Sequence, residues 1–176
     1  MKITGLLAIC ATVAMSCSAQ ETLDVSGLQS WGLDGDADNE TMALFPAGGA
    51  PFNVILEISY DLTIETIGGS WLSEVNVRFG NSTGTFDGNW PDTFTPGFGS
   101  NFNGTQRFTG SFFTDFHLNA DGELWISLFE SFDDNVGAVD AIFLPGSTIT
   151  VGYFLPSPGT GAILGMGAFF ATRRRR

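Results

Sequence analysis

Asp34, Asp36 and Asp38 stand at alternate positions of the stretch DGDADNE, residues 34–40, and Glu40 closes it. Alternating carboxylates in a loop bring several hard oxygens within reach of one hard cation, which is how oxygen-rich calcium loops are built. The match to an EF-hand loop is partial, because its sixth position is Asn39 instead of glycine and its twelfth is Phe45 instead of glutamate. The expectation is a noncanonical calcium site in an inter-strand loop. Its ligands would be Asp34, Asp36, Asp38 and Glu40, with Asp133 and Asp134 as helpers from a distant loop. The plainer alternative is a solvated acidic turn.

A second group of residues with chemical potential lies in NSTGTFDGNWPDTFTPGFGSNFNGTQR, residues 81–107. Here Phe86, Trp90, Phe94, Phe98 and Phe102 recur at every fourth place among Gly, Asn, Asp, Ser and Thr. That composition excludes a helix. A connection this long inside a compact domain is usually functional or disordered, and five aromatics argue against disorder. Read as a site, it is a carbohydrate-binding loop in which Trp90, Phe94 and Phe98 stack on sugar faces while Asn89, Asp92 and Asn101 supply hydrogen bonds. Read as structure, the rings turn inward and pin the loop over the core, which the rarity of large apolar patches on secreted monomers favours.

Catalytic chemistry finds less support. The only histidine, His117, falls within a strand pattern, and no GxSxG element accompanies it, so a Ser-His-Asp triad has no frame. Glycoside hydrolysis needs two carboxylates. Asp121 with Glu130 is one such pair among nineteen acidic residues, and no spacing selects it. A secreted glycoside hydrolase is therefore the weakest of three classes, behind a matrix-associated structural or interaction protein without catalytic activity and a carbohydrate-binding module.

Charge and chain ends say where these chemistries would operate. All nineteen Asp and Glu lie between Glu21 and Asp140, whereas Arg78 and Arg107 are the sole basic residues between positions 20 and 155. Such a surface repels nucleic acid and anionic headgroups and favours cations and neutral partners. Lys2 followed by apolar Ile3–Met15 and then by Cys17, Ser18 and Ala19 reads as a signal peptide over residues 1–19, cut by signal peptidase before Gln20. A lipidated Cys17 is the rival reading. Both cysteines, Cys10 and Cys17, fall in this segment, so the mature chain is expected to carry no thiol. At the other end, Gly161–Thr172 is an uncharged, mostly apolar run, and Arg173, Arg174, Arg175 and Arg176 follow at once. Extended back to Pro156, the run reaches about 17 residues, the lower limit for a membrane-spanning helix. The basic cluster stays on the cytoplasmic side, so the body lies outside.

Pro156, Ser157 and Pro158, the short Gly, Ala and Leu-rich segment and the terminal arginines together resemble the PEP-CTERM sorting signal. Ser157 stands where that family usually has glutamate. The resemblance implies an exosortase substrate. The tail would be recognised near the proline motif and removed, and the body passed from transient inner-membrane anchorage to the cell envelope or extracellular matrix, where exopolysaccharide is a candidate partner. The stretches GGSWLSEVNVRFG (residues 68–80) and LFESFDDNVGAVDAIF (residues 128–143) also resemble exported proteins of this kind, and bring no activity with them.

The elements that must position these residues read as strands. Val54, Leu56, Ile58, Tyr60, Leu62 and Ile64 alternate with Ile55 and then Glu57, Ser59, Asp61 and Thr63, a long half-buried strand. After Gly68 and Gly69 the pattern restarts with Trp71, Val75, Val77 and Phe79 on one face, predicting a second strand antiparallel to the first. Asp121-Gly122 between two apolar stretches suits a hairpin turn, and the strand carrying Trp125 and Phe129 should be covered on both faces. Shorter candidates are residues 23–31, 41–45, 108–113 and 148–155. About eight strands over residues 20–155, with no helical stretch, predict an all-β, jelly-roll-like β-sandwich, with an irregular barrel as the alternative. A signal peptide precedes this body, and the sorting tail, residues 156–176, follows it.

Overall fold

A computed structural model describes residues 17–46, 48–50, 54–80 and 93–155. The expected sorting tail, most of the expected signal peptide, and Phe86, Asn89, Trp90 and Asp92 lie outside the described residues. Ser18–Leu155 form one compact unit.

The described residues form ten strands: β1 (Cys17–Asp24), β2 (Gln29–Ser30), β3 (Thr41–Phe45), β4 (Val54–Thr66), β5 (Val75–Gly80), β6 (Thr93–Phe94), β7 (Thr105–His117), β8 (Leu124–Glu130), β9 (Ala141–Phe143) and β10 (Thr148–Leu155). They form two antiparallel sheets. One has the order β1-β10-β4-β9-β2, with β7 on the opposite edge of β4; the other has the order β3-β8-β5-β6. The chain is all-β and sandwich-like, as its period-two patterning predicts, and no helix occurs among the described residues. β1 begins three residues ahead of the expected signal-peptide cut.

The alternation in β4 turns its apolar side inward with one shift of phase. Ile58, Leu62 and Ile64 are fully buried as expected, but Ile55 is buried in place of Leu56. Against β10, Glu57 faces Gly152 and Ile55 faces Tyr153, so Leu56 is the extra residue of a β-bulge that reverses the face of the residues before it. In β5, Val75, Val77 and Phe79 are fully buried, whereas Trp71 lies outside the strand and is exposed.

Two expected strand pairings are corrected. β5 does not pair with β4: it pairs with β8 and β6 in the other sheet. Likewise Gly122, at φ 70°, makes the tight turn after Asp121, but β7 belongs to one sheet and β8 to the other. Both turns carry the chain across the sandwich, because the apolar faces of consecutive strands are buried against each other instead of side by side. β8 is covered fully on one face, through Leu124, Ile126 and Leu128, while Trp125 and Phe129 are half-buried on the other.

An aromatic seam joins the layers. Phe79 of β5 lies 6.1 Å from Phe116 of β7 and 6.0 Å from Phe94 of β6, ring centre to ring centre. Phe94 also meets Tyr60 at 4.9 Å and Phe112 at 5.2 Å. These are the tilted and offset separations at which rings attract beyond their buried area.

Candidate functional site

Four loops meet at one end of the sandwich: residues 31–40, 67–74, 95–104 and 131–140. The second and third are zipped together by backbone hydrogen bonds from Leu72 N to Phe102 O (3.0 Å), Ser73 N to Ser100 O (3.1 Å) and Thr66 N to Gly104 O (2.9 Å). Gly97 permits this closeness, because a Cβ there would stand 2.3 Å from the Leu72 carbonyl oxygen. The fourth loop joins through Ser131 N to Glu74 O (2.9 Å), Ile67 N to Asp140 O (2.7 Å) and Asn135 Nδ2 to Ile67 O (2.9 Å). Glu130 N donates to Gly32 O at 2.8 Å, which ties in the first.

This end carries seven of the eight large apolar side chains that are exposed among the described residues: Leu33, Ile67, Trp71, Phe98, Phe102, Phe132 and Val136. Isolated exposed apolar residues are unremarkable, but their concentration on interlocked loops of an acidic body makes this end the candidate interaction surface. Sequence reasoning found part of it. Phe98, 89% exposed, and Phe102 point out, in line with the binding-loop reading, whereas Phe94 is packed into the aromatic seam, in line with the structural one. Trp71 and Phe132 were missed, because each is a single ring in its own loop and only the fold brings the loops together.

Beneath the rings lies buried acid. Glu130, at the end of β8, and Asp140 are 1% and 0% exposed. Ser30 Oγ donates to Glu130 Oε1 at 2.7 Å. Asp140 Oδ1 accepts from Ser70 Oγ at 3.0 Å and Asn135 Nδ2 at 2.9 Å. Glu130 Oε2 and Asp140 Oδ2 find no hydrogen-bond partner among the described groups. Loss of water pushes the Glu130 carboxyl up to about 8, against the hydroxyl of Ser30 and with help from the negative charges of Asp140, Glu74 and Asp134. At neutral pH Glu130 is therefore mostly the uncharged acid, the form that burial favours.

The acidic loop is placed as follows. Asp34 forms an ion pair with Arg78, whose guanidinium also lies 5.5 Å above the centre of the Phe129 ring. Asp36 Oδ1 accepts from Asp38 N at 3.0 Å, and Glu40 Oε2 from Gln29 N at 3.0 Å. Asp36 and Asp133 approach each other around Gly32. Among the described residues no three His, Cys, Asp or Glu side chains gather as metal ligands do.

Asp121 precedes the start of β8 and Glu130 is its last residue. They are separated by about 20 Å of extended chain, further than the roughly 5–9.5 Å that glycoside hydrolysis uses. His117, the last residue of β7, is on the surface, its Nε2 3.3 Å from Asp115 Oδ1. Among the described residues, no helix is long and apolar enough to cross a membrane.

The chain matches no protein-family model and no curated protein. Among solved structures it is similar to that of Bacillus endospore appendages, which form disulfide-linked pili (14% identity, TM-score 0.34, 86% of this chain and 99% of that one). It is also similar to dimeric latent PorU from Porphyromonas gingivalis (12%, TM-score 0.38, 85% of this chain and 14% of that one). A third likeness is to the infectious bursal disease virus VP2 subviral particle (12%, TM-score 0.35, 88% and 38%).

Proposed function

We propose that this is an exported cell-surface or extracellular-matrix protein, delivered by signal peptidase and an exosortase, whose folded body acts by binding and not by catalysis. The body is a jelly-roll-like sandwich. Counting β1 with β2 and β9 with β10 as single strands, the sheets run one-eight-three-six and two-seven-four-five, an order that supports this reading. The observation that carries the binding role is the set of exposed rings, Trp71, Phe98, Phe102 and Phe132, on loops fixed by backbone hydrogen bonds. Rings already held in place lose little freedom on binding.

The ligand class follows from the charge. Two arginines against nineteen carboxylates disfavour polyanions, and flat apolar rings among hydroxyl, amide and carboxylate groups suit the mixed apolar and hydroxyl faces of a neutral polysaccharide. Titration of the purified protein with soluble neutral polysaccharides, followed by tryptophan fluorescence, tests this. Phe98→Ala and Trp71→Ala should each weaken binding about tenfold or more; undiminished binding by both variants overturns the assignment. Sorting is tested by intact mass and cell fractionation. A product that begins near Gln20, ends near Pro158 and lies outside the inner membrane supports it, whereas one that keeps Arg176 in the inner membrane makes the tail an anchor.

A further inference from the structure

β7 is a thirteen-residue strand at the edge of its sheet. From Thr105 to Asp115, none of the described strands pairs with its outer side. A long free edge presents a row of unused N–H and C=O groups, and proteins normally guard it with lysine, proline or a bulge. β7 has neither lysine nor proline, and its bulge-like slip against β4 lies beyond Phe113. Its arginine, Arg107, lies beside Asp61 of β4 on the exposed face of the sheet, with Nε 2.6 Å from Oδ1.

We propose that this edge pairs antiparallel with the same edge of a second copy of this chain, about a two-fold axis through Ser111. The side chains select the partner and the register. Arg107, Thr109, Ser111, Phe113 and Asp115 project from one face of β7 and are exposed. Turning this strand about Ser111 puts Arg107 opposite Asp115 of the second copy and Thr109 opposite its Phe113, and the two-fold repeats both pairs. Opposite charges and aromatic–β-branched pairs are the cross-strand combinations that stabilise a sheet. A slip of two residues either way sets Arg107 against Phe113 or His117 and loses the charge match. A slip of one residue turns the faces out of phase. The pairing also covers Phe113, which is 80% exposed and stands apart from the apolar loop end. The interface is isologous and closed, so it makes dimers and not fibres.

Sedimentation of the protein purified from its producing cells tests this. The wild type should dimerise. Arg107→Glu and Asp115→Arg each place like charges opposite one another twice and should weaken the dimer at least tenfold. The double variant Arg107→Glu/Asp115→Arg should restore it, which loss of fold could not do. In a Cys17→Ser background, Ser111→Cys should cross-link into a covalent dimer on mild oxidation, because the axis brings residue 111 against its own copy, and Thr105→Cys should not. A wild type that stays monomeric at every concentration, a double variant no tighter than the single ones, or equal cross-linking at positions 105 and 111 would overturn the proposal.

Discussion

At Glu130 the fold keeps a carboxyl from water, and the cost has a definite pH dependence. Unfolded, the group titrates near its ordinary 4.5; folded, it titrates near 8. Folding therefore takes up a proton between these values. The stability associated with the neutral acid is fully present below about 4.5 and is lost as pH rises through about 8. Glu130→Gln removes the ionisation but keeps the shape, and Ser30 Oγ can still donate to the amide oxygen. The variant's melting temperature should vary less with pH across this window. At pH 8 to 9 it should exceed that of the wild type by roughly 5 °C, the scale set by a stabilisation of about 2 kcal/mol in a domain of this size. Thermal melts at a series of pH values decide it; parallel curves for the two proteins would show that Glu130 is not held neutral.

Among the elements, Gly97 decides whether the loop face is a fixed surface. An added Cβ would meet Leu72 O at 2.3 Å and its carbonyl carbon at 2.8 Å, and neither atom can move without moving the backbone. Gly97→Ala should push residues 95–104 off residues 67–74 and cost about 2 kcal/mol. It should also abolish polysaccharide binding while the far-ultraviolet circular dichroism stays that of the same sheets. Amide exchange at Leu72 and Ser73, whose N–H groups bond to Phe102 O and Ser100 O, is the direct readout, and unchanged protection there would refute the docking. The same scale explains what the sequence discloses. Alternation reports burial, so Thr41–Phe45 and Thr148–Leu155 are read with the bounds they have in the structure. It does not report partners: Gly68-Gly69 and Asp121-Gly122 announce turns, yet nothing local says that each turn crosses to the other sheet. β6 and β9, two and three residues long, are too short to show a period. The ring-rich segment 81–107 advertises itself, whereas Trp71, Phe132 and the Glu130–Ser30 contact depend on residues far apart in the chain.

For the whole molecule, nineteen carboxylates against two arginines in the body make compaction work against self-repulsion. Salt shortens the reach of that repulsion to about 10 Å at 0.1 M, so the melting temperature should rise as sodium chloride is added. Calcium then becomes a question of kind. Asp34 is engaged by Arg78, Asp36 by the Asp38 amide and Glu40 by the Gln29 amide. A cation entering residues 34–40 must compete with Arg78 for Asp34, and it meets Asp36 and Glu40 with one oxygen of each already accepting a backbone N–H. Calcium and magnesium chloride at equal ionic strength should accordingly raise the melting temperature equally, as screening ions do. A rise specific to calcium and abolished by Asp36→Asn would instead establish a site in that loop, because a ligand bound only by the folded state adds stability that grows with the logarithm of its concentration above Kd. Screening should act on assembly in the same direction. Two acidic bodies must approach before β7 can pair with its copy, so moderate salt should tighten the dimer, until it weakens the Arg107–Asp115 pairs themselves.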